Sequence, residues 1–436
     1  MAFDPADPNV LARLTQTTSR TRSAPNPSSP VPFQGGWLVA LSYELGRAIE
    51  PTAAVHPARV DERWPWPIVL WRCPWAFAFD HDRRQWWIVQ SDAAASVPDP
   101  SPWNVPPDAP PFRLGIADSA RSRGQYLAAV RRAVECIHAG DCFQVNLAHR
   151  INASFEGSAR ALFHSLLGAA APWYGAYLEL PHGPRFHAAL SASPELFLRY
   201  DGASRMITTR PIKGTRTTEA GAAALHASAK DRAELNMIID LMRSDLGRVC
   251  DLGSVRVAEA RAIETHASVV PDSKSRGRQS DPLVVAPGLH HGVATIAGRV
   301  RENASIADIL RATFPGGSIT GAPKVRAMQI IEELEPAPRG LYTGAIGFIS
   351  DSGDIALNIA IRTAVVHGTP TPNSSALDDV SDGTLAYGVG AGIVADSIPE
   401  QEWQETLDKA GVLRNLPTDS TVVRRAPRPV AHGARA

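Results

Sequence analysis

The chain has 436 residues, and its 44 lysine and arginine residues balance 44 aspartate and glutamate residues. A net charge of zero gives no electrostatic case for binding nucleic acid or an anionic membrane. Its four scattered cysteines form no CxxC pair, the N-terminus has no signal-peptide pattern, and no apolar run reaches the ~18 residues of a membrane span. These features predict a cytoplasmic protein with reduced thiols.

The first quarter of the chain is typical of a β-sheet. Proline and serine residues from 20 to 33 predict a loop, and Gly35 to Tyr43 has the pattern of a strand. Alternating aromatic and β-branched residues between Trp64 and Gln90 predict further strands. We expect the tryptophans of this part to lie in the core rather than in a ligand cage. A proline-rich connector is expected from Pro98 to Phe112.

From Arg121 the pattern changes to mixed helices and strands. Apolar residues at helical spacing end at Gly140 and predict one helix, and Lys230 to Val249 predicts another. We also expect strands at 143–147, 176–180 and 187–191, polar loops at 271–287 and 368–382, and a disordered tail after about Leu416. Because strands and helices do not alternate regularly, the fold class is predicted to be α+β rather than a Rossmann sheet.

A lysine within Pro211-Ile212-Lys213-Gly214-Thr215 is the first candidate for chemistry. The glycine predicts a tight turn after a strand over 204–209. A lysine held by its backbone can act as a nucleophile when desolvation or a nearby cation lowers its pKa. Most lysines in loops are solvated and inert, so the motif alone leaves both interpretations open.

Two pairs of carboxylates have helical spacing. Asp231 and Glu234 are one pair, and Glu402 and Glu405 are the other, with Lys409 following. Residues at i and i+3 share one face of a helix. If the two faces converge, they could hold a hard cation such as Mg²⁺. Two solvated charged faces are the alternative.

Glycine-rich segments offer possible anion sites. The segment from Phe314 to Lys324 leads into a predicted helix, whose N-terminus could expose N–H groups to an anion. It is not a Walker A loop, because Ala322 and Pro323 separate the glycine from the lysine. A carboxylate therefore fits as well as a phosphate. Ala386 to Gly392 is a second segment of this kind.

Seven segments taken together closely resemble the chorismate-utilising enzymes. In the order of that family they are SASPELFL, PIKGT, DLMRSDLGRV, FPGGSITGAPKVRAMQIIEELEP, RGLYTGAIGF, LNIAIRT and GAGIVADSIPEQEWQETLDKA. They cover roughly residues 120–412, and residues 34–50 add a weaker match. Anthranilate synthases typically have PIAGT where this chain has Lys213. The resemblance is therefore to the aminodeoxychorismate synthase component I branch, on the folate route to 4-aminobenzoate.

The resemblance implies a fold and an activity. The expected fold is α+β, with two large antiparallel sheets packed face to face and helices outside. Residues 1–115 would form an N-terminal part on the same globule, 116–415 the chorismate-binding catalytic region, and 416–436 a disordered tail. The expected activity converts chorismate and ammonia to 4-amino-4-deoxychorismate.

The resemblance also implies roles for individual residues. Lys213 would be a covalent nucleophile, and Glu195 would be a general acid. Mg²⁺ would be held by Glu234 and Glu405, with Asp231 and Glu402 as outer partners. Contacts to the substrate are expected from Ser318, Thr320, Tyr342, Arg362, Gly392, Lys409 and His291. Of these, His291 aligns with the histidine that aids pyruvate elimination in anthranilate synthases, and here a binding role is expected.

Two further expectations concern the nucleophile. Gln144 stands where isochorismate and salicylate synthases carry a lysine that activates water, which argues against water here. No cysteine lies in a Gly-x-Cys-x-Gly elbow, so ammonia is expected from a separate glutamine amidotransferase subunit. The alternatives are an anthranilate synthase component I, an isochorismate-type enzyme, or a non-catalytic chorismate-binding regulatory subunit.

Overall fold

The structure is a computed structural model that describes residues 1–4, 7–23, 26, 29–57, 59–91, 96–97, 111–115, 117–170, 172–217, 221–271, 283–372, 374, 378–414 and 416. Within these residues the helices are α1 (Val10–Ser19), α2 (Leu45–Ile49), α3 (Arg123–His138), α4 (Ala159–Ala170), α5 (Gly221–Ala227), α6 (Ala229–Gly247), α7 (Ile306–Thr313), α8 (Lys324–Leu334) and α9 (Pro399–Arg414). The strands are β1 (Gly36–Leu41), β2 (Ile68–Cys73), β3 (Trp75–Asp80), β4 (Gln85–Gln90), β5 (Phe112–Leu114), β6 (Asp118–Ser119), β7 (Gln144–Ser158), β8 (Tyr174–His182), β9 (Arg185–Ser193), β10 (Leu196–Tyr200), β11 (Met206–Arg210), β12 (Ile212–Thr217), β13 (Arg256–Pro271), β14 (Leu283–Arg299), β15 (Gly321–Ala322), β16 (Ala345–Ser350), β17 (Ile355–Ile359), β18 (Thr363–Pro370) and β19 (Asp379–Ile393).

Two large sheets organise the described part of the chain. The first runs β12-β14-β11-β10-β17-β16-β1-β2, with β13 also paired to β14. The second runs β15-β7-β19-β18-β9-β8, with β5 and β6 added along β7. Strands β3 and β4 form a separate hairpin, and the strand pairs of all three sheets are antiparallel. Strand β1 of the N-terminal part is thus hydrogen-bonded between β2 and β16.

The cores show how the layers stack. One buried cluster joins residues of β1, β2 and β16 to residues of β8, β9 and β18, so it lies between the two sheets. A larger cluster packs α1, α3, α6, α7 and α8 against strands of both sheets, and another covers the second sheet with α4 and α9. The predicted α+β fold, with two antiparallel sheets face to face and helices outside, is confirmed.

Local sequence signals account for the helix that precedes the site. Helix α3 begins with a capping box, in which the side chains of Ser122 and Gln125 each accept a backbone N–H of the other residue. It ends before Gly140, whose φ of +84° favours glycine. No helix in the described part of the chain is long and apolar enough to cross a membrane.

Several local expectations were wrong. The segment 368–382 was predicted as a loop, yet β18 continues to Pro370 and β19 begins at Asp379. The reason is that small residues there allow close strand pairing, since a Cβ on Gly368 would lie 2.4 Å from a Val380 methyl. Residues 283–287 of the other expected loop belong to β14, whereas 272–282 lie outside the described residues. Most of the proline-rich connector and the residues of the expected tail from 417 onward also lie outside them.

The aromatic N-terminal part is only partly core. Trp64 and Trp66 are buried, as expected, but the side chain of Trp86 is 67% exposed. Trp86 stands beside Phe79 on the β3–β4 hairpin, which pairs with neither large sheet in the described residues. The alternation of aromatic and β-branched residues therefore predicted the strands of this hairpin correctly, but it did not predict that the face with Trp86 is exposed. The boundaries predicted for the three chain regions remain predictions.

Candidate active site

Lys213 lies on an edge strand rather than in the predicted turn. Strand β12 pairs with β14 at Lys213 opposite Gly292, and the register shifts immediately afterwards. Gly214 forms this bulge with φ +79°, a backbone conformation that favours glycine. A Cβ on Gly214 would lie 2.9 Å from the carboxyl carbon of Asp231. The bulge therefore lets helix α6 approach the lysine strand closely.

Glu195 lies in the short connection between β9 and β10 and is only 4% exposed. Ser318 Oγ donates a hydrogen bond to Glu195 Oε1 at 2.5 Å. Burial raises the pKa of Glu195 to about 7, although the hydrogen bond from Ser318 and the charge of Lys213 act in the opposite direction. A carboxyl group with this pKa can hold a proton at neutral pH, as a general acid must.

The glycines of β19 bring the lysine and the second sheet together. A Cβ on Gly392 would lie 3.4 Å from Lys213 Nζ and 2.7 Å from Gln144 Nε2. The carbonyl of Gly390 accepts a hydrogen bond from Lys409 Nζ at 2.7 Å. Larger side chains on β19 would fill the space in front of Lys213, so the glycine-dense segment leaves a cleft between the sheets.

Gln144 belongs to this cleft and is fully buried, yet neither amide atom has a hydrogen-bond partner among the described residues. Asn146 lies two residues further along β7 on the same face, and its Oδ1 also lacks such a partner. Sequence reasoning missed Asn146, although the alternation of FQVNL could have indicated it. Polar groups left without partners in a buried cleft are costly unless a ligand binds them.

The four acidic residues flank the cleft on two helices. Asp231 and Glu234 lie on α6 beside β12. Glu402 and Glu405 lie on α9, where Ser397 Oγ donates to Glu402 and Lys409 forms an ion pair with Glu405 at 2.7 Å. Among the described residues, no three acidic, histidine or cysteine side chains lie close enough together to hold a metal ion. The oxygen donor set nevertheless fits a hard cation such as Mg²⁺.

Tyr342 and Arg362 lie at the other end of the cleft. The Tyr342 ring packs on Gly388, where a Cβ would lie 2.1 Å from its Cγ, and its hydroxyl approaches Gly390. Arg362 has a left-handed φ of +49°. Burial lowers the pKa of Arg362, and among the described residues only Tyr387 acts in the opposite direction. A desolvated arginine without a carboxylate beside it is suited to binding an anion.

The remaining candidates have structural contacts of their own. His291 is buried, and its Nδ1 lies 3.0 Å from Thr215 Oγ1, next to the lysine bulge. Thr320 is also buried, and its hydroxyl donates to the carbonyl of Gly316 at 2.9 Å. Thr320 thus stabilises the turn that presents Ser318.

Comparison with known proteins identifies the family of the chain. A family model described as chorismate binding enzyme matches residues 3–271 and 283–415. The chain belongs to this family. It is 38% identical over 399 residues to aminodeoxychorismate synthase component 1 of Salmonella typhimurium, covering 88% of this chain and 77% of that protein.

Two further relatives extend the comparison. Aminodeoxychorismate synthase component 1 of Escherichia coli is 37% identical over 415 residues, covering 93% of this chain and 82% of that protein. The crystal structure of anthranilate synthase component I from Streptococcus pneumoniae matches with a TM-score of 0.71 and 26% identity, covering 93% of this chain and 85% of that chain. The resemblance to the aminodeoxychorismate synthase branch, inferred from motifs, is confirmed.

Proposed function

We propose that this chorismate-binding enzyme is an aminodeoxychorismate synthase component I, which converts chorismate and ammonia to 4-amino-4-deoxychorismate and water. The observation that carries the proposal is that Lys213 lies close enough to Glu195 for its charge to act on that carboxyl group. A lysine at the bulge of an edge strand lies near a buried carboxyl group with a pKa of about 7. This pair supplies a nucleophile and a general acid in one cleft.

The first step forms a bond between Lys213 Nζ and C2 of chorismate. The ring double bonds shift toward C4, and the C4–O bond breaks. The departing hydroxyl takes a proton from Glu195 and leaves as water. Ser318 holds Oε1 of Glu195, so the proton is expected on the other carboxyl oxygen. The charge that Lys213 gains on alkylation is balanced by the carboxylate that Glu195 becomes.

The second step returns the ring double bonds to their original positions. Ammonia adds at C4, the double bonds return, and the C2–N bond to Lys213 breaks. The proton that ammonia loses on addition restores Glu195, and cleavage of the C2–N bond restores the free amine of Lys213. The enolpyruvyl group stays on the ring. Because Gln144 is an amide rather than an amine, it offers no base that would deprotonate water in competition with ammonia.

Substrate carboxylates are assigned to the cationic and hydroxyl groups of the cleft. Arg362 and Tyr342 would bind the enolpyruvyl carboxylate, because Arg362 is half-buried and no carboxylate among the described residues raises its pKa. Lys409, His291 and the backbone at Gly392 would position the ring. In this assignment the glycines of β19 make room for the substrate.

Mg²⁺ is proposed as the cofactor on the chemistry of the flanking carboxylates. Glu234 and Glu405 would hold it, with Asp231 and Glu402 as outer partners. When bound, the cation neutralises the ring carboxylate of the substrate and draws electron density from the ring. Glu405 forms an ion pair with Lys409, so metal binding would compete with that pair. A separate glutamine amidotransferase subunit is proposed as the source of ammonia.

The experiment is product identification by mass spectrometry after incubation with chorismate, ammonium and Mg²⁺. We expect a product with the enolpyruvyl group retained and an amine in place of one hydroxyl. Omitting Mg²⁺ and adding EDTA should stop turnover. The variant Lys213→Gln, which keeps a polar side chain of similar length, should also be inactive.

The alternatives give different outcomes. Anthranilate with pyruvate would mean an anthranilate synthase, the activity named for the structural neighbour from Streptococcus pneumoniae. Isochorismate would mean that water is the nucleophile. Binding of chorismate without turnover, even with a glutaminase added, would indicate a non-catalytic subunit. Full activity of Lys213→Gln would contradict the covalent mechanism whatever the product.

A further inference from the structure

Two histidines stand side by side on neighbouring strands of the second sheet. His187 of β9 and His367 of β18 are direct partners in the antiparallel register. Side chains of such partners project from the same face of a sheet. The centroids of the two imidazole rings lie 4.7 Å apart, and the ring planes are inclined by 43°. Because imidazole is the commonest metal ligand among side chains, the pair is a candidate metal site.

The pair lies apart from the cleft around Lys213. His367 is paired on its other side with Thr384 of β19. Gly392, the glycine near Lys213 Nζ, lies eight residues further along this strand. At about 3.3 Å per residue, the two positions are roughly 26 Å apart along β19. The histidines therefore do not belong to the active site.

The ring of His187 is fixed from two sides. Its Nδ1 lies 2.8 Å from the carbonyl oxygen of Arg63. A carbonyl oxygen can only accept, so Nδ1 carries the proton and Nε2 of the neutral ring has the lone pair. The indole of Trp66 packs edge-on against the same ring, with centroids 4.9 Å apart. Metal-binding histidines typically donate their other N–H to a carbonyl in this way.

The nitrogens that would bind a metal have no competing partners. His187 is only 4% exposed, and its Nε2 forms no hydrogen bond with the described residues. The half-buried ring of His367 forms none with them either. A buried polar atom without a partner is costly. A metal ion between the rings would supply that partner.

Both imidazoles favour the neutral form, which is the one that binds metals. Burial lowers the pKa of His187 to about 4. Burial and two neighbouring arginines also lower the pKa of His367, whereas Asp61 and Glu62 raise it. Protons therefore compete little with a metal ion at neutral pH. The two carboxylates also offset the repulsion between the arginines and a bound cation.

The separation of the rings matches binding of one ion by both. A metal ion lies about 2.1 Å from an imidazole nitrogen and so about 3.2 Å from the ring centroid. Two rings that bind one ion at 90–110° then have centroids about 4.5–5.2 Å apart. The observed 4.7 Å falls within this range. We propose that Nε2 of His187 and a ring nitrogen of His367 bind one divalent transition-metal ion such as Zn²⁺, with water in the other positions.

The ligands select the kind of ion. Imidazole nitrogen suits Zn²⁺, Cu²⁺ and Ni²⁺, whereas Mg²⁺ prefers oxygen ligands. The site thus differs in chemistry from the carboxylates proposed to hold Mg²⁺, and it does not rest on the proposed function. Structural zinc sites have four protein ligands. A site with two is open to water, so we expect the ion to exchange and, while bound, to join β9 to β18.

The test is isothermal titration calorimetry of the full chain with Zn²⁺, in excess Mg²⁺ to occupy oxygen-ligand sites. Asparagine is the test substitution, because its amide N–H can replace Nδ1–H while Nε2 is removed. His187→Asn and His367→Asn should each weaken Zn²⁺ binding at least about tenfold. His138→Asn is the matched control, since His138 is an exposed histidine at the end of α3. It should bind Zn²⁺ as the parent protein does.

A spectroscopic measurement counts the ligands directly. Pulsed electron paramagnetic resonance of bound Cu²⁺ should detect two imidazoles in the parent protein and one in His367→Asn. If His187→Asn does not fold, His367→Asn gives the same test on a half-buried ring. Absence of saturable Zn²⁺ binding to the parent protein, or unchanged affinity in either folded variant, would overturn the proposal. Turnover of chorismate plays no part, so failure here is distinguishable from failure of the proposed function.

Discussion

Two lysines in glycine-containing motifs have opposite surroundings. Lys324 begins α8 after the glycine-rich segment, is 9% exposed, and donates to Asp245 at 2.6 Å and to the carbonyl of Thr313 at 3.0 Å. Lys213 is half-buried, and no hydrogen bond or ion pair joins its amine to the described residues. A similar sequence setting therefore yields one lysine that ties α6 to α8 and one that faces a cleft.

The difference teaches that partners, rather than burial, distinguish a structural lysine from a reactive one. Burial lowers the pKa of Lys324, whereas the adjacent carboxylate of Asp245 raises it and accepts a hydrogen bond from the amine. An amine held in this way has no lone pair to offer. The glycine-rich segment was considered as an anion site from its sequence, but its lysine is used internally.

The largest expected effect on activity comes from removing the reactive lysine. Lys213→Ala should lower kcat by at least about 10³-fold, since removing a covalent nucleophile removes the pathway that depends on it. The thermal unfolding midpoint should change little, because the amine holds no internal partner. Steady-state kinetics beside a melting curve would measure both. A variant that melts far below the parent protein would assign Lys213 a structural role.

Glu195→Gln should lower kcat about 10²–10⁴-fold, the range for loss of a general acid. The parent enzyme should also lose activity as pH rises through about 7, because the raised pKa of Glu195 means that the required proton is present below this value and lost above it. A pH profile of kcat from pH 5 to 9 would show this limb. The limb should be missing from the residual activity of the variant.

Breaking the structural lysine pair should act on stability instead. Lys324→Met leaves the carboxylate of Asp245 buried without its partner, which should cost about 3–5 kcal/mol of unfolding free energy. The double variant Lys324→Met, Asp245→Leu should recover much of that loss, since no buried charge remains. Denaturant titration would measure all three proteins. Equal stability of the single and double variants would show that the pair is not coupled.

The smallest expected effect concerns a carboxyl group outside the cleft. Burial raises the pKa of Glu44 to about 7, as it does for Glu195, but Glu44 accepts backbone N–H groups of Arg339 and Gly340. Because the pKa of Glu44 is higher in the folded than in the unfolded state, its protonation stabilises the fold. This stabilisation is complete below the unfolded-state pKa of about 4.3 and is lost as the pH rises through about 7. Glu44→Gln should therefore flatten the decline of stability over this range.

The activity of the Glu44→Gln variant would test whether Glu44 lies outside the active site. Glu44→Gln should keep kcat close to that of the parent protein, whereas Glu195→Gln should not. If both variants lose activity equally, then the cleft extends further than the residues around Lys213. A shifted pKa identifies a buried carboxyl group, and its position decides whether that group is catalytic.

Particular residues show how far the sequence could predict the structure. Apolar periodicity predicted the helix from Lys230 to Val249, and the resemblance to the chorismate-utilising enzymes supplied the two-sheet fold and the list of candidate residues. The bulge at Gly214 was not predictable, because a glycine after a lysine is equally typical of a turn. Asn146 was missed for a related reason, since alternation indicates a shared face but not which face lines a cleft.

What the sequence alone determined is the family, the fold class and the residue types available for chemistry, because these depend on order and spacing along the chain. Tertiary structure decided which of those groups remain available. Asp245 occupies Lys324, Arg339 occupies Glu335, and Arg121 has a buried nitrogen without a partner among the described residues. Lys324 and Asp245 lie 79 positions apart in the chain, so only packing could pair them.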